Sequence, residues 1–111
     1  MTRSREPDAD APPNEMVRLE VEIARPPTRK CRAVIEVMET ALARFPGQTR
    51  LVVYERGVPC QEEPTRGFRR SRKIRRVPKA FVGGKIVALG QAPRLEEVLT
   101  AIRSRLAQPK P

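Results

Sequence analysis

The chain has no histidine, no tryptophan and only two cysteines among its 111 residues. Without histidine, a serine or cysteine hydrolase working through an imidazole base is excluded. Two cysteines alone argue against a structural zinc, which usually draws four Cys or His ligands. Aromatic residues make up only 4 % of the chain, so a core has to be assembled from Val, Leu, Ile and Ala. No apolar run reaches membrane-spanning length, and Met1 to Glu15 lacks the apolar segment of a secretory signal. The expectation is a cytoplasmic protein without membrane insertion. In such a reducing compartment a structural disulfide between Cys31 and Cys60 is not expected.

What the chain has in excess is positive charge. Twenty-three Lys and Arg stand against thirteen Asp and Glu, a formal net charge of +10. That balance attracts polyanions and says nothing about fold. The length suits one small domain. Residues 1–15, rich in Pro, Asp, Glu and Arg without periodicity, and residues 108–111 read as disordered tails. The domain is expected over 16–107.

Within it, Val17, Leu19, Val21 and Ile23 alternate with Arg18, Glu20 and Glu22, the pattern of a strand with one face buried. Pro26-Pro27 ends that strand, because proline donates nothing to a ladder. Thr28 is a candidate N-cap. Cys31, Val34, Ile35, Met38, Ala41, Leu42 and Phe45 then recur on one face of a helix that Pro46-Gly47 stops. Leu51 to Tyr54 reads as a second, more buried strand, completing a β-α-β unit with a parallel pair. After a loop containing Gly57, Pro59 and Pro64, residues Thr65 to Ile74 are expected to form one short charged helix. Lys79 to Val82 and Lys85 to Leu89 form a hairpin across Gly83-Gly84, since both turn positions accept positive φ. A last helix is expected from about Pro93 to Leu106, with proline in its first turn and Leu95, Val98, Leu99, Ile102 and Leu106 buried. Glu96 and Glu97 near its start and Arg103 and Arg105 near its end suit the macrodipole.

This order, with Val77-Pro78 ahead of the third strand, the stretch Val77-Pro78-Lys79-Ala80-Phe81-Val82-Gly83-Gly84-Lys85 and Gly90 after the hairpin, resembles the thioredoxin-like superfamily of small thioredoxin- and glutaredoxin-type proteins. The resemblance implies an α/β fold: a four-stranded mixed sheet in the order β-α-β-α-β-β-α with helices packed on it. It also implies a redox C-x-x-C at the start of the first helix and a cis-proline beside it that presents backbone to a substrate. Here the motif positions hold Thr28 and Cys31, and the proline is Pro78. Threonine preserves the cap but supplies no sulfur nucleophile, so ordinary disulfide exchange is expected to be crippled.

Three functional readings follow. The first is a non-catalytic binding or adaptor module, without cofactor or metal, whose protein partner sits at the face formed by Thr28, Val77 and Pro78. The second is a residual thiol-disulfide oxidoreductase acting through Cys31, which Arg29 and Lys30 could activate only if the sulfur were exposed, alone or paired with Cys60 in the loop after the second strand. Their bland counterparts are a small core residue at 31 and a partnerless loop thiol at 60. The third is non-specific binding of nucleic acid or another polyanion by Arg66, Arg69, Arg70, Arg72, Lys73, Arg75, Arg76 and Lys79, a run with no acidic residue. Only Phe68 interleaves it, so base stacking has little support. Its bland counterpart is a solvated face paired with Glu20, Glu22, Glu62 and Glu63.

Overall fold

The structure, a computed structural model, describes residues 16–108. The expected tails therefore lie outside the described residues, apart from Gln108, whose N–H caps the last helix on the Arg105 carbonyl. The chain runs β1 (Val17–Ile23), α1 (Arg29–Ala43), β2 (Thr49–Glu55), α2 (Arg66–Arg70), a 3₁₀ turn (Ser71–Lys73), β3 (Lys79–Val82), β4 (Lys85–Leu89) and α3 (Leu95–Ala107). The strands form a mixed, open sheet in the order β2-β1-β3-β4. β1 is parallel to β2 and antiparallel to β3, and β3 is antiparallel to β4. Among the described residues the result is an α/β domain with a four-stranded sheet and three α-helices. None of its helices is long and apolar enough to cross a membrane among the described residues.

One face of the sheet carries the expected apolar core. Val17, Leu19, Val21 and Ile23 of β1 pack against Cys31, Val34, Met38 and Ala41 of α1 and against Val98, Leu99 and Ile102 of α3. The opposite face is where the expectation of a half-buried β1 fails. Glu20 has no exposed surface and Glu22 is half-buried, because α2 and the 3₁₀ turn cover this side. Val52, Tyr54, Phe68 and Phe81 form a second, smaller cluster there. The Phe68 ring lies 4.4 Å from Tyr54 and 5.2 Å from Phe81, centroid to centroid.

Three local expectations need correction. The segment Thr65 to Ile74 is not one helix: five residues of α2 give way to the 3₁₀ turn. Its start is close-packed on the hairpin, since a Cβ on Gly67 would lie 1.7 Å from the Gly84 carbonyl oxygen. The second strand is not the more buried one; it is the edge strand, with Leu51 and Val53 only partly covered, while β1 sits inside the sheet. Pro93 does not begin the last helix, whose N-cap is Arg94. Both hairpin glycines do take positive φ, at 58° and 84°.

The buried charged groups on the α2 side, Glu20 and Lys79, are fully engaged. The Glu20 carboxylate accepts from the Tyr54 hydroxyl at 2.7 Å, from the Thr65 N–H at 2.9 Å and from the Thr65 hydroxyl. Thr65 in turn caps α2 by accepting from the Phe68 N–H. One buried carboxylate thus fastens the helix start to the central strand. Lys79, which has no exposed surface, donates to the Ser71 carbonyl at 2.8 Å, the Ser71 hydroxyl at 3.2 Å and the Ile74 carbonyl at 3.1 Å. Its ammonium also pairs with Glu22 at 3.0 Å. Burying a charge is costly unless it is paired and hydrogen-bonded, and both conditions are met here.

Candidate functional site at the start of the first helix

Thr28 adopts an extended backbone and its hydroxyl accepts from the Cys31 N–H at 3.2 Å, the N-cap contact. The same hydroxyl donates to Cys31 Sγ at 3.2 Å, and the Ala24 N–H donates to that sulfur at 3.4 Å. Cys31 has no exposed surface and belongs to the core cluster. Burial acts to raise its thiol pKa. The Thr28 hydroxyl, the backbone N–H groups of Ala24 and Thr28 and the field of Arg32 outweigh burial and hold the thiol below its ordinary value. The cation that acts is Arg32, not Arg29 or Lys30. The site is a thiol electronically disposed toward the thiolate but sterically covered.

The Val77–Pro78 segment comes to the same end of the molecule. Lys30 of α1, Arg76, Val77 and the Leu89-Gly90-Gln91 corner line one cavity of about 450 Å³. The Val77–Pro78 peptide bond is cis, and the Pro78 carbonyl accepts from the Gly90 N–H at 2.7 Å. Among the described residues, neither the N–H nor the C=O of Val77 has a hydrogen-bond partner. Leu89 is one of three large hydrophobic residues left exposed among the described residues. Sequence reasoning named Thr28, Val77 and Pro78 but not Leu89 or Gln91, which the fold brings beside Val77 through the β4 corner.

Cys60 is placed elsewhere. It packs against the cluster of Val52, Tyr54, Phe68 and Phe81 on the α2 side of the sheet, whereas Cys31 lies in the core on the α1 side. Both thiols are free. The sheet stands between them, so the Cys31–Cys60 couple is corrected: a disulfide needs Cα atoms about 5.5 Å apart. Cys60 instead accepts from the Arg72 guanidinium at 3.4 Å, at the rim of a cavity of about 730 Å³.

The basic run divides in three. Lys79 leaves it altogether, being buried against Glu22, so it cannot meet a polyanion. Arg69 pairs with Glu63. Arg66, Arg70, Arg72, Lys73, Arg75 and Arg76 are exposed and pair with no carboxylate among the described residues. No group of three or more His, Cys, Asp or Glu that could hold a metal ion occurs among the described residues.

No protein-family model matches the chain, and no curated protein is significantly similar to it. The site must be read from its own chemistry.

Proposed function

We propose that the protein is a thioredoxin-like binding module that has given up dithiol chemistry and holds an extended segment of a partner protein at the Thr28/Val77–Pro78 face. The observation that carries this reading is the sulfur-free surface at the start of α1. Thr28 occupies the exposed motif position, and the remaining thiol is covered and saturated with donors. Attack on a bulky disulfide requires an accessible thiolate, and Cys31 offers none without local opening.

What the face does offer is backbone. The open N–H and C=O of Val77 can exchange hydrogen bonds with an extended peptide in the manner of an added strand. Leu89 gives one apolar contact, and Lys30 and Arg76 favour an acidic side chain. Two measurements test the reading together. Reduction of an insulin disulfide by a thiol reductant should run at the uncatalysed rate, and a short acidic extended peptide should perturb the amide resonances of Val77, Gly90 and the first turn of α1. Catalysis at the rate of a dithiol protein, abolished by Cys31→Ser, would overturn the proposal.

A further inference from the structure

Among the described residues, none of the four carboxylates expected to neutralise the basic run pairs with its cations other than Arg69 and Lys79. Glu20 is held by Tyr54 and Thr65, and Glu22 by Lys79 and Arg56. Glu62 pairs with Arg18 and Arg50, and Glu63 with Arg69. Among the described residues, Arg66, Arg70, Arg72, Lys73, Arg75 and Arg76 thus lack the ion pairs of an internally neutralised face. Among the described residues no ion pair offsets their mutual repulsion.

The fold also adds arginines that lie far away in sequence. At one end of α2, Arg18 of β1 and Arg105 of α3 join Arg66 and Arg70 around a cleft of about 540 Å³. Beyond the other end, Arg56, which follows β2, joins Arg72, Lys73 and Arg75 around the cavity of about 730 Å³. Arg56 is already fixed in place by Glu22 and by the carbonyls of Ile74 and Arg75. The first cleft is reached by Arg18 near the start of β1 and the second by Glu22 near its end. The two residues are four positions apart along the strand, about 13 Å at about 3.3 Å per residue. One isolated anion cannot fill both; a chain of anions can.

We propose that the α2 face binds the phosphodiester backbone of a nucleic acid, without sequence preference, by seating phosphates in these two clefts. Seven of the eight cations are arginines, whose planar guanidinium suits bidentate contact with phosphate oxygens. Base stacking takes no part, because Tyr54, Phe68 and Phe81 are buried between α2 and the sheet. An anionic membrane is the poorer fit. The cations line concave clefts, and Ile74 is the only large hydrophobic residue exposed on this segment among the described residues.

Fluorescence anisotropy with a labelled single-stranded RNA and a duplex DNA, each of about 20 nucleotides per strand, tests the proposal. If six or more phosphates are contacted, affinity should fall roughly 10³-fold or more between 50 and 200 mM salt. Arg66→Gln/Arg70→Gln/Arg105→Gln and Arg72→Gln/Lys73→Gln/Arg75→Gln should each weaken binding at least tenfold and flatten the salt slope by about one unit per contact removed. The charge-matched triple variant Arg44→Gln/Arg94→Gln/Arg103→Gln should keep wild-type affinity. Equal weakening by all three variants would reduce the effect to net charge and overturn the proposal. So would a flat salt response, or binding to phosphatidylglycerol vesicles with none to either nucleic acid. The site is separate from the Val77 face, so a failure here leaves the peptide-binding reading standing.

Discussion

Leu19 and Glu20 are neighbours on the same inner strand, both fully buried, and they face opposite sides of the sheet. On Leu19's side two long helices contribute aliphatic side chains, and the interaction is non-directional. On Glu20's side the cover is a five-residue helix and a 3₁₀ turn, too short to present a broad apolar stripe. There the chain uses three clustered aromatic rings, a buried carboxylate and a buried ammonium instead. A short element with little area to bury is held by directional bonds to named acceptors. The difference predicts that the first face tolerates change of shape and the second does not tolerate loss of a single partner.

The largest effect should come from breaking the ion pair on the second face. Lys79→Met keeps the volume but leaves Glu22 without its closest cation, leaves the Ser71 hydroxyl without the ammonium, and takes one of two donors from each of the Ser71 and Ile74 carbonyls. Removing one member of a buried pair costs about 3–5 kcal/mol, to be read from urea unfolding. On the first face, Met38→Leu also conserves volume and should cost less than about 1.5 kcal/mol. Equal losses at the two sites would erase the contrast.

An intermediate effect separates the faces by pH. Tyr54 is the only tyrosine, so its titration can be followed alone by absorbance. Burial, then the hydrogen bond to Glu20 and the charge of that carboxylate, push its phenol well above the ordinary 10.0. The raised folded value means that the neutral phenol contributes stability fully below pH 10, and that this contribution is lost as pH climbs toward the folded value. Stability should therefore decline above pH 10 with up to about 1.4 kcal/mol per pH unit from this group. Tyr54→Phe should remove that part of the alkaline slope while costing about 1–3 kcal/mol at neutral pH, because Glu20 loses a donor. An unchanged slope would show that the phenol is not held neutral by the fold.

The same contrast explains what the sequence made legible. Strict alternation over Val17 to Ile23 and the helical spacing from Cys31 to Met38 report apolar positions, and a non-directional core is built from just those. The Gly83-Gly84 turn was legible because its conformation needs residues without a Cβ. Glu20, Glu22 and Lys79 misled the reading because alternation tells which residues share a face, not whether that face is covered. Only Phe68 hinted at a cover, and it stood inside a run of arginines. The convergence of Arg18, Arg56 and Arg105 on that run has no local signal at all, since each comes from a different element. At the candidate site, the Thr28 cap followed from residue type, while the coverage of Cys31 and the open backbone of Val77 depend on tertiary contacts.

The smallest effect is expected where the two chemistries meet, at Thr28 and Cys31: a polar hydroxyl bonded to a thiol of the apolar core. Thr28→Val keeps the shape and deletes both contacts of the hydroxyl. Loss of the cap should cost about 1 kcal/mol. Loss of the donor to Sγ should move the Cys31 thiol upward, toward or past its ordinary 9.0, because burial is then less opposed. The depressed thiol stabilises the fold above pH 9.0 and loses that contribution as pH falls through the folded value, so the variant should be weakened most on the alkaline side. Absorbance of the thiolate near 240 nm against pH, in a Cys60→Ser background, reads the shift directly. Thr28→Ser should restore the parent titration, since it returns the hydroxyl. A Thr28→Val curve superimposed on the parent would mean that the sulfur takes its ionisation from the backbone and Arg32, and that the threonine at the head of α1 serves only as its cap.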